Sequence, residues 1–463
     1  MALLRYFRNG ERGGKAAAPS GEAADPSAEA KRRRRERGVA MIIATISFAV
    51  LAAVAAEFSY SAKVDVAMAA NTRDDTRAYF LAKSGLGLAR LMLSFQKQVD
   101  NIQIPPGLTE LLSGNLGGLL GGAAGVNPAD PNQLPQPTQL NLQLYKLVRV
   151  DCYMLQAMVP PEKEQELRDD FNELRGVKKE KSGGSDDEVV LDREAPKTFG
   201  GFEGCFDVTI DDPEETKINL NGLDMGAEAL PQALGALSAK ELEFVFDHED
   251  EHGVKVTPAE LLINIHDWTD PDKVQSALDL NSATGIPFTK GFSDENSLYD
   301  RYEPRYQTKN AYFDSLDEVN MVYGMDELKL AALRDRFTVY SNPNSKPNIN
   351  TDDEISLLVA ILAVADPAKN PSLLDPLFRA QLYQAIRMQR AFSFLGTSRQ
   401  DLISVLQAKG LVLRPGAINN ISDKASTYTL HINASAGGVK KKVTAVVRMD
   451  AGGLGRLVYW REE

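Results

Sequence analysis

The sequence predicts an α+β protein in which a long N-terminal helix packs on a small antiparallel sheet, with a large all-α domain inserted in the sheet region. Three observations lead to this prediction. Helical periodicity runs unbroken from an uncharged segment into an amphipathic one between Val39 and about Phe95. Period-two alternation, typical of strands, occurs at residues 204–223 and again near the C-terminus. Between these regions, apolar residues recur at spacings of three and four.

The N-terminal helix contains a segment suited to a membrane. Six basic residues occupy the seven positions from Lys31 to Arg37, and Gly38 follows them. The next eighteen residues, Val39 to Ala56, carry no charge, and a helix of that length crosses roughly 30 Å of hydrocarbon. Because basic residues stay on the cytoplasmic side, we expect the rest of the chain to be exported.

Two simpler interpretations of this segment stay open, a cleaved secretory signal peptide and a plain single-pass anchor. A signal peptide has a shorter apolar core and ends at a small-residue cleavage site followed by unpatterned chain. Here no proline or loop separates the uncharged run from the amphipathic run. The pattern therefore favours a helix that the mature protein keeps.

A basic leader ending in Gly, followed by such a helix, resembles the class III signal of type IV pilins and type II secretion pseudopilins. The resemblance implies a pilin-like fold and cleavage after Gly38 by a prepilin peptidase, which leaves Val39 as the new N-terminus. Most pilins carry Glu at the fifth mature position, which is Ile43 here. Absence of that Glu is the pattern of the minor pseudopilin K family, thought to cap the pseudopilus. A carboxylate in lipid is retained only with a partner, so a subunit without it needs no neighbour above.

Composition and the resemblance together predict the domain organisation. The expected segments are a leader (1–38), a transmembrane and stem helix (39–97), a Gly/Pro/Asn-rich linker or insertion (98–143), a pilin-like α/β domain (144–223 and 338–463, with helices at 351–410) and an inserted α-helical domain (224–337). Two Asn-x-Asn segments, Asn219–Asn221 and Asn348–Asn350, resemble the sites where the family's chain leaves and rejoins its sheet. Thr351 is expected to open a capping box that ends at Glu354.

The charge and the cysteine content restrict the function classes. The 463 residues carry a net charge of −12, which argues against nucleic acid as the main partner because phosphate binding needs a basic field. The only two cysteines, Cys152 and Cys205, form either one disulfide in an oxidising compartment or two buried thiols. No nucleophile–base pair or phosphate-binding loop is evident, so an enzyme is the minority hypothesis.

The loop after Trp268 is rich in acidic residues and suggests a cation site. Calcium takes six to eight oxygen ligands and suits flexible acidic loops. No EF-hand spacing is present, so a solvated acidic loop is the alternative. The resemblance favours calcium, since minor pseudopilin K carries calcium in its helical domain. The expected ligands are Asp267, Asp270, Asp294 and Glu295.

Two other motifs are interpreted as structural. Residues 248–252 read H-E-D-E-H and match the zinc-protease pattern, but Gly253 follows at once, so a solvated helix end is favoured over catalysis. Residues 319–333 resemble a helix-hairpin-helix. The Asp326 carboxylate in its turn would repel a DNA phosphate, so we interpret this motif as packing.

The sequence thus predicts a single-pass inner-membrane protein with a periplasmic globular part, acting as a minor pseudopilin at the tip of the type II secretion pseudopilus. By resemblance, its partners are minor pseudopilins I and J, and it helps to nucleate the fibre that exports folded proteins. The alternatives are a minor pilin of a type IV pilus or DNA-uptake system and, less favoured, a membrane-anchored periplasmic enzyme.

Overall fold

The structure is a computed structural model that describes residues 26–100, 141–154, 204–224, 229–250, 253–280, 287–389, 396–450 and 452–463. Most of the predicted leader and of the 98–143 segment lies outside the described residues. The α-helices of the described residues are α1 (Pro26–Val99), α2 (Leu144–Leu147), α3 (Ala229–Leu237), α4 (Glu243–Phe246), α5 (Pro258–Thr269), α6 (Glu327–Leu333), α7 (Glu354–Val364), α8 (Pro376–Gln389) and α9 (Arg399–Ala408). The strands are β1 (Val150–Asp151), β2 (Cys205–Ile210), β3 (Ile218–Asn219), β4 (Val274–Leu278), β5 (Phe288–Asp294), β6 (Phe337–Thr338), β7 (Thr427–Ala436), β8 (Val439–Arg448) and β9 (Arg456–Glu462).

Helix α1 is continuous, as predicted, and already begins at Pro26. The chain separates into two compact units, residues 1–72 and 73–463. In the first unit the apolar side chains from Val39 to Phe58 are exposed, and Thr45 donates its hydroxyl hydrogen bond back to the Met41 carbonyl at 2.9 Å. Among the described residues, one helix (38–99) is long and apolar enough to cross a membrane. It fits a single-pass anchor.

In the second unit, the last part of α1 packs on a five-stranded antiparallel sheet with strand order β1-β2-β7-β8-β9. The buried helix face repeats at spacings of three and four, and it consists of Ala78, Ala82, Leu86, Ala89 and Leu93. Alternate residues of β7, such as Leu430 and Ile432, supply the opposite side of this core. The predicted stem helix on a small antiparallel sheet, with its three C-terminal strands, is confirmed.

A second hydrophobic core holds the α domain together. It joins the inserted helices α3 and α5 to α7, α8 and α9 through buried residues such as Leu230, Leu261, Ile361, Leu382 and Leu402. The helices at 351–410, which the sequence analysis groups with the sheet, thus contribute side chains to the same core as the inserted helices. Besides its helices, the insert contains the β4–β5 hairpin, which an all-α prediction does not include.

The two Asn-x-Asn segments have the predicted turn chemistry but not the predicted topology. Asn219 Oδ1 accepts from the backbone N–H of Asn221 at 2.9 Å, and Asn348 Oδ1 accepts from that of Asn350 at 2.8 Å. Strand β3, however, pairs in parallel with β6 and not with residues 348–350. Likewise Asp353, and not Thr351, caps α7, accepting from Ser356 N.

The chain passes between sheet and α domain at two neighbouring points, residues 211–217 and 422–427. Glu215 ties them together, because its carboxylate accepts from the Ser426 hydroxyl at 2.7 Å and from the backbone N–H groups of Ser426 and Thr427. Burial raises the pKa of Glu215, and these hydrogen bonds oppose that rise. A buried carboxylate therefore links the two crossing points.

Candidate metal centre and partner surface

The C-terminal end of α5 brings three potential metal ligands together. Thr257 begins the helix with a capping box to Glu260, and Pro258 occupies its first turn. The helix ends at Thr269. His266, Asp267 and Asp270 each have a ligand atom within 4.8 Å of the others.

The His266 imidazole faces the carboxylates. Its Nδ1 lies 3.6 Å from Asp270 Oδ2 and 3.8 Å from Asp267 Oδ1. The ring stacks on Phe288 of β5 with centroids 3.7 Å apart, and Nδ1 is 3.2 Å from the Ser276 hydroxyl. Strands β4 and β5 therefore fix the orientation of the ring.

Two buried carboxylates at the centre keep an oxygen without a hydrogen-bond partner among the described residues. Asp267 is 2% exposed, and its Oδ1 accepts from Ser276 N at 3.0 Å while Oδ2 has no partner. Glu295 is 0% exposed, and its Oε1 accepts from the Thr308 hydroxyl at 2.7 Å while Oε2 has none. A buried carboxylate oxygen left unsatisfied is costly unless a cation or a proton completes it.

Acceptor oxygens outnumber donors around Thr308. Its hydroxyl oxygen lies 2.7 Å from Glu295 Oε1, 2.6 Å from Asn310 Oδ1 and 3.2 Å from Asn296 Oδ1. One hydroxyl proton serves only one of these three oxygens at a time. Asn310 has a φ of +50°, a conformation that costs energy for a non-glycine residue and is often found at functional sites.

The carboxylates of the centre perturb one another electrostatically. Burial raises the pKa of Glu295 to about 7, the Thr308 hydrogen bond opposes the rise, and the charges of Asp270, Asp267 and Asp272 add to it. Burial also raises the pKa of Asp270, against the effect of His266. Lys290 pairs with Asp272 at 2.9 Å, but no Lys or Arg among the described residues forms an ion pair with Asp267, Asp270 or Glu295.

Of the four predicted ligands, Asp267 and Asp270 lie in the cluster with His266, and their charges act on Glu295, whereas Asp294 is placed differently. Asp294 is exposed and its carboxylate caps the next turn, accepting from Asn296 N at 3.0 Å. The prediction missed His266, although its i,i+4 spacing from Asp270 on a helix signals one shared face. The remaining carboxylate and carboxamide oxygens fit the oxygen preference of calcium.

The zinc-protease pattern gains no support from the geometry of its first histidine. His248 Nε2 lies 3.0 Å from Asp326 Oδ2, and Asp326 also caps α6 and pairs with the fully buried Lys329. His252 lies outside the described residues. This arrangement is the packing predicted for the helix-hairpin-helix, and Asp326 is committed to that packing.

A second candidate site is the exposed face of the stem helix. This exposed stem face consists of Phe80, Ser84, Gly87, Leu91 and Phe95, and it lies opposite the buried face. Phe80, Leu91 and Phe95 are 56%, 42% and 50% exposed. A side chain added at Gly87 would meet no atom within 4 Å. Large apolar side chains flanking small ones allow a second helix to approach closely.

Cys152 and Cys205 form a disulfide whose Cα atoms lie 5.4 Å apart. The bond connects the segment that follows β1 to the start of β2, at the edge of the sheet. It lies beside the β1–β2 pairing of Val150 with Val208. The disulfide thus cross-links the chain directly after β1 to β2 at this edge of the sheet.

None of the protein-family models matches the sequence, and no curated protein matches it either. Among solved structures, the chain is similar to one from the GspK-GspI-GspJ complex of the type 2 secretion system of enterotoxigenic Escherichia coli. That match has a TM-score of 0.36 and 14% sequence identity, and it covers 56% of this chain and 80% of that chain. A likeness this low carries no argument about function, which has to be inferred from the chain's own residues.

Proposed function

We propose that this chain is a minor pseudopilin at the tip of a type II secretion pseudopilus, where it helps to nucleate the fibre for export of folded proteins. The observation that supports this most is the combination of one continuous apolar-to-amphipathic helix with a pilin-like sheet. A bulky α domain interrupts that sheet between β2 and β7. A domain of this size suits a position that occurs once per fibre better than one repeated along it.

Ile43 places the subunit at the end of the fibre in this proposal. A subunit within a pilin stack uses its fifth-position Glu to neutralise the amine of its neighbour, whereas Ile43 offers only an apolar side chain. Burying a carboxylate in hydrocarbon without its partner costs several kcal/mol, on the order of 2–3 at the least. A terminal subunit avoids that cost by having no acidic residue there.

Processing by prepilin peptidase after Gly38 is the most direct test of this assignment. We expect the mature protein from inner membranes to begin at Val39, and Gly38→Ala to accumulate as uncut precursor. Gly87→Ala, in the same helix but far from the cleavage site, serves as the control and should mature normally. Normal maturation of Gly38→Ala, measured by N-terminal sequencing, would refute the class III leader.

The exposed stem face is the proposed contact for minor pseudopilins I and J. Leu91→Glu places a charge in the middle of this face and should lower co-purification of both partners at least about tenfold, because a desolvated unpaired charge costs more than 1.4 kcal/mol. Leu377→Glu is the matched control, since Leu377 lies on α8 and is 67% exposed. Equal loss in both variants, or no loss in Leu91→Glu, would contradict the assignment.

The same capture experiment separates this function from its main competitor. A minor pilin of a pilus or DNA-uptake system would recover pilus subunits instead. A DNA-binding face is further disfavoured because residues 224–337 contain 23 acidic and 10 basic residues, and such a surface repels phosphate.

Calcium at the metal centre is the last part of the proposal. Asp267, Asp270 and Glu295 would hold the ion, and its role would be to neutralise buried carboxylates and fix the loops that join α5 to the β4–β5 hairpin. Calcium should therefore raise the Tm of the purified chain, and chelation should lower it. An unchanged Tm at saturating calcium would remove this part of the proposal.

A further inference from the structure

His266 is the one group at the metal centre that calcium chemistry does not account for. Its Nδ1 lies on the same side of the ring as the Asp267 and Asp270 carboxylates, at 3.8 and 3.6 Å. Stacking on Phe288 and the contact with Ser276 hold the ring in that orientation. When Nδ1 carries no proton, it presents a nitrogen lone pair beside two carboxylates.

The centre also has the open ligand positions that a metal needs. Asp267 Oδ2 and Glu295 Oε2 have no hydrogen-bond partner among the described residues, and both side chains are at least nine-tenths buried. These atoms point to a ligand independently of the clustering of charge. Asp267 belongs to the cluster with His266 and Asp270, so a cation bound there would complete its free oxygen.

The identity of the donors decides which cations the centre favours. Calcium binds oxygen ligands almost exclusively, whereas imidazole nitrogen suits zinc and other borderline transition ions. We infer that this centre also takes a divalent transition-metal ion such as Zn²⁺, with His266 as the ligand that distinguishes this ion from calcium. The inference rests on the calcium site proposed above. The carboxylates serve both ions, and the imidazole serves only the transition metal.

The competing explanation is that His266 is an ordinary charge partner for the two carboxylates. In that case, removing the imidazole would affect both ions alike, because it would change only the field and the packing at the centre. A metal-specific loss separates the two explanations. The comparison therefore needs two metals and one histidine variant.

The test uses the full chain in detergent micelles, with Ca²⁺ and Zn²⁺ titrated separately by calorimetry. We expect wild type to bind Zn²⁺ at least tenfold more tightly than Ca²⁺. His266→Asn should weaken Zn²⁺ binding by about 10–100-fold and change Ca²⁺ binding less than about threefold. Co²⁺ absorption should shift accordingly, since loss of a nitrogen ligand alters the ligand field.

Two controls keep the outcome interpretable. His431→Asn removes another histidine that contacts a carboxylate, Asp211 at 2.9 Å, and should leave both affinities unchanged. Glu295→Gln should weaken both ions, which shows that each occupies this centre. His266→Asn must also melt cooperatively without metal, and unchanged Ca²⁺ binding in it provides a second check of folding.

Three results would overturn the inference, namely equal weakening of both ions in His266→Asn, unchanged Zn²⁺ binding in it, or no Zn²⁺ binding by wild type. If wild type binds Ca²⁺ but not Zn²⁺, the calcium proposal stands and this inference falls. If it binds neither, both metal assignments fall. Capture of pseudopilins I and J uses no metal and decides the pseudopilin assignment separately.

Discussion

The packing of the stem helix on the sheet makes a sharp prediction about two glycines. Gly85 is buried, and a Cβ added there would lie 2.9 Å from Phe206 Cδ2 and 3.1 Å from Val208 Cγ2. Gly87, two residues further along the same helix, has nothing within 4 Å of an added Cβ. The variants Gly85→Ala and Gly87→Ala therefore share one helical environment and differ only in the space available.

The expected magnitudes follow from two opposing effects. Replacing Gly by Ala inside a helix stabilises by about 1 kcal/mol, and Gly87→Ala should gain that amount. At Gly85 the same gain is offset by overpacking, which costs about 1–3 kcal/mol. Phe206 and Val208 are 2% and 4% exposed, so neither can simply move aside. We expect the free energy of unfolding of Gly85→Ala to be about 1–3 kcal/mol lower than that of Gly87→Ala.

Urea denaturation of the detergent-solubilised chain measures this difference. Trp460 lies on β9, and its ring centroid is 6.5 Å from that of Tyr79 on the stem helix. Its fluorescence therefore reports on the packing of the helix against the sheet. A Trp268→Phe background leaves Trp460 as the only tryptophan, because the chain has two. A change in midpoint with an unchanged slope identifies a change in stability.

The refuting result is that Gly85→Ala is as stable as Gly87→Ala or more so. That outcome would mean that Gly85 does not touch the sheet as described. It would also contradict the close packing of the stem helix on β2.

Two further predictions concern the disulfide and the metal centre. The Cys152→Ser, Cys205→Ser double variant should lose roughly 4 kcal/mol by loop-closure entropy, since the cysteines are 53 residues apart; a loss below about 1 kcal/mol on urea denaturation would contradict a formed bond. In chelator, stability of wild type should fall as pH rises from about 4.5, the ordinary pKa of Glu, towards about 7, the raised pKa of Glu295, because only the folded state keeps the proton there. Glu295→Gln should therefore be about 1–3 kcal/mol more stable than wild type at pH 8 and nearly equal at about pH 4, whereas the exposed control Asp294→Asn, which retains its cap, should show no pH-dependent gain.

The elements that the sequence predicted well are those whose signals are local. The stem helix follows from unbroken periodicity, and α5 follows from Thr257 and Pro258 at its start. Strand β7 alternates apolar and polar residues over ten positions. In these segments local propensity and tertiary packing agree.

The assignment of helices to domains was less accessible because it depends on non-local packing. In α7 every residue from Ile355 to Val364 is buried, so the helix is apolar on all sides and no face indicates its partner. The Asn-x-Asn segments were misleading for the opposite reason. Their Asx turns are local features, and such turns occur wherever a chain changes direction.

The metal centre shows the same limit at the level of single residues. Acidic composition drew attention to this loop, but Asp294 and Glu295 are neighbours that the backbone sends in opposite directions, one exposed and one fully buried. The β4–β5 hairpin sets that alternation and also presents Phe288 to His266. The sequence alone therefore does not specify which of these side chains face the metal centre.

The pairing of β2 with β7 has a consequence for how such a molecule can change over time. Ile210 lies directly across from Leu430, and Asp211 N still bonds the Thr429 carbonyl at 3.0 Å, so these two strands meet as the arms of a simple hairpin would. Everything from 212 to 428 is, in topological terms, an enlarged turn. Loops with adjoining ends tolerate very large insertions at a small entropic cost. Replacing residues 212–428 by a short turn should therefore leave a smaller scaffold in which β2 and β7 still pair.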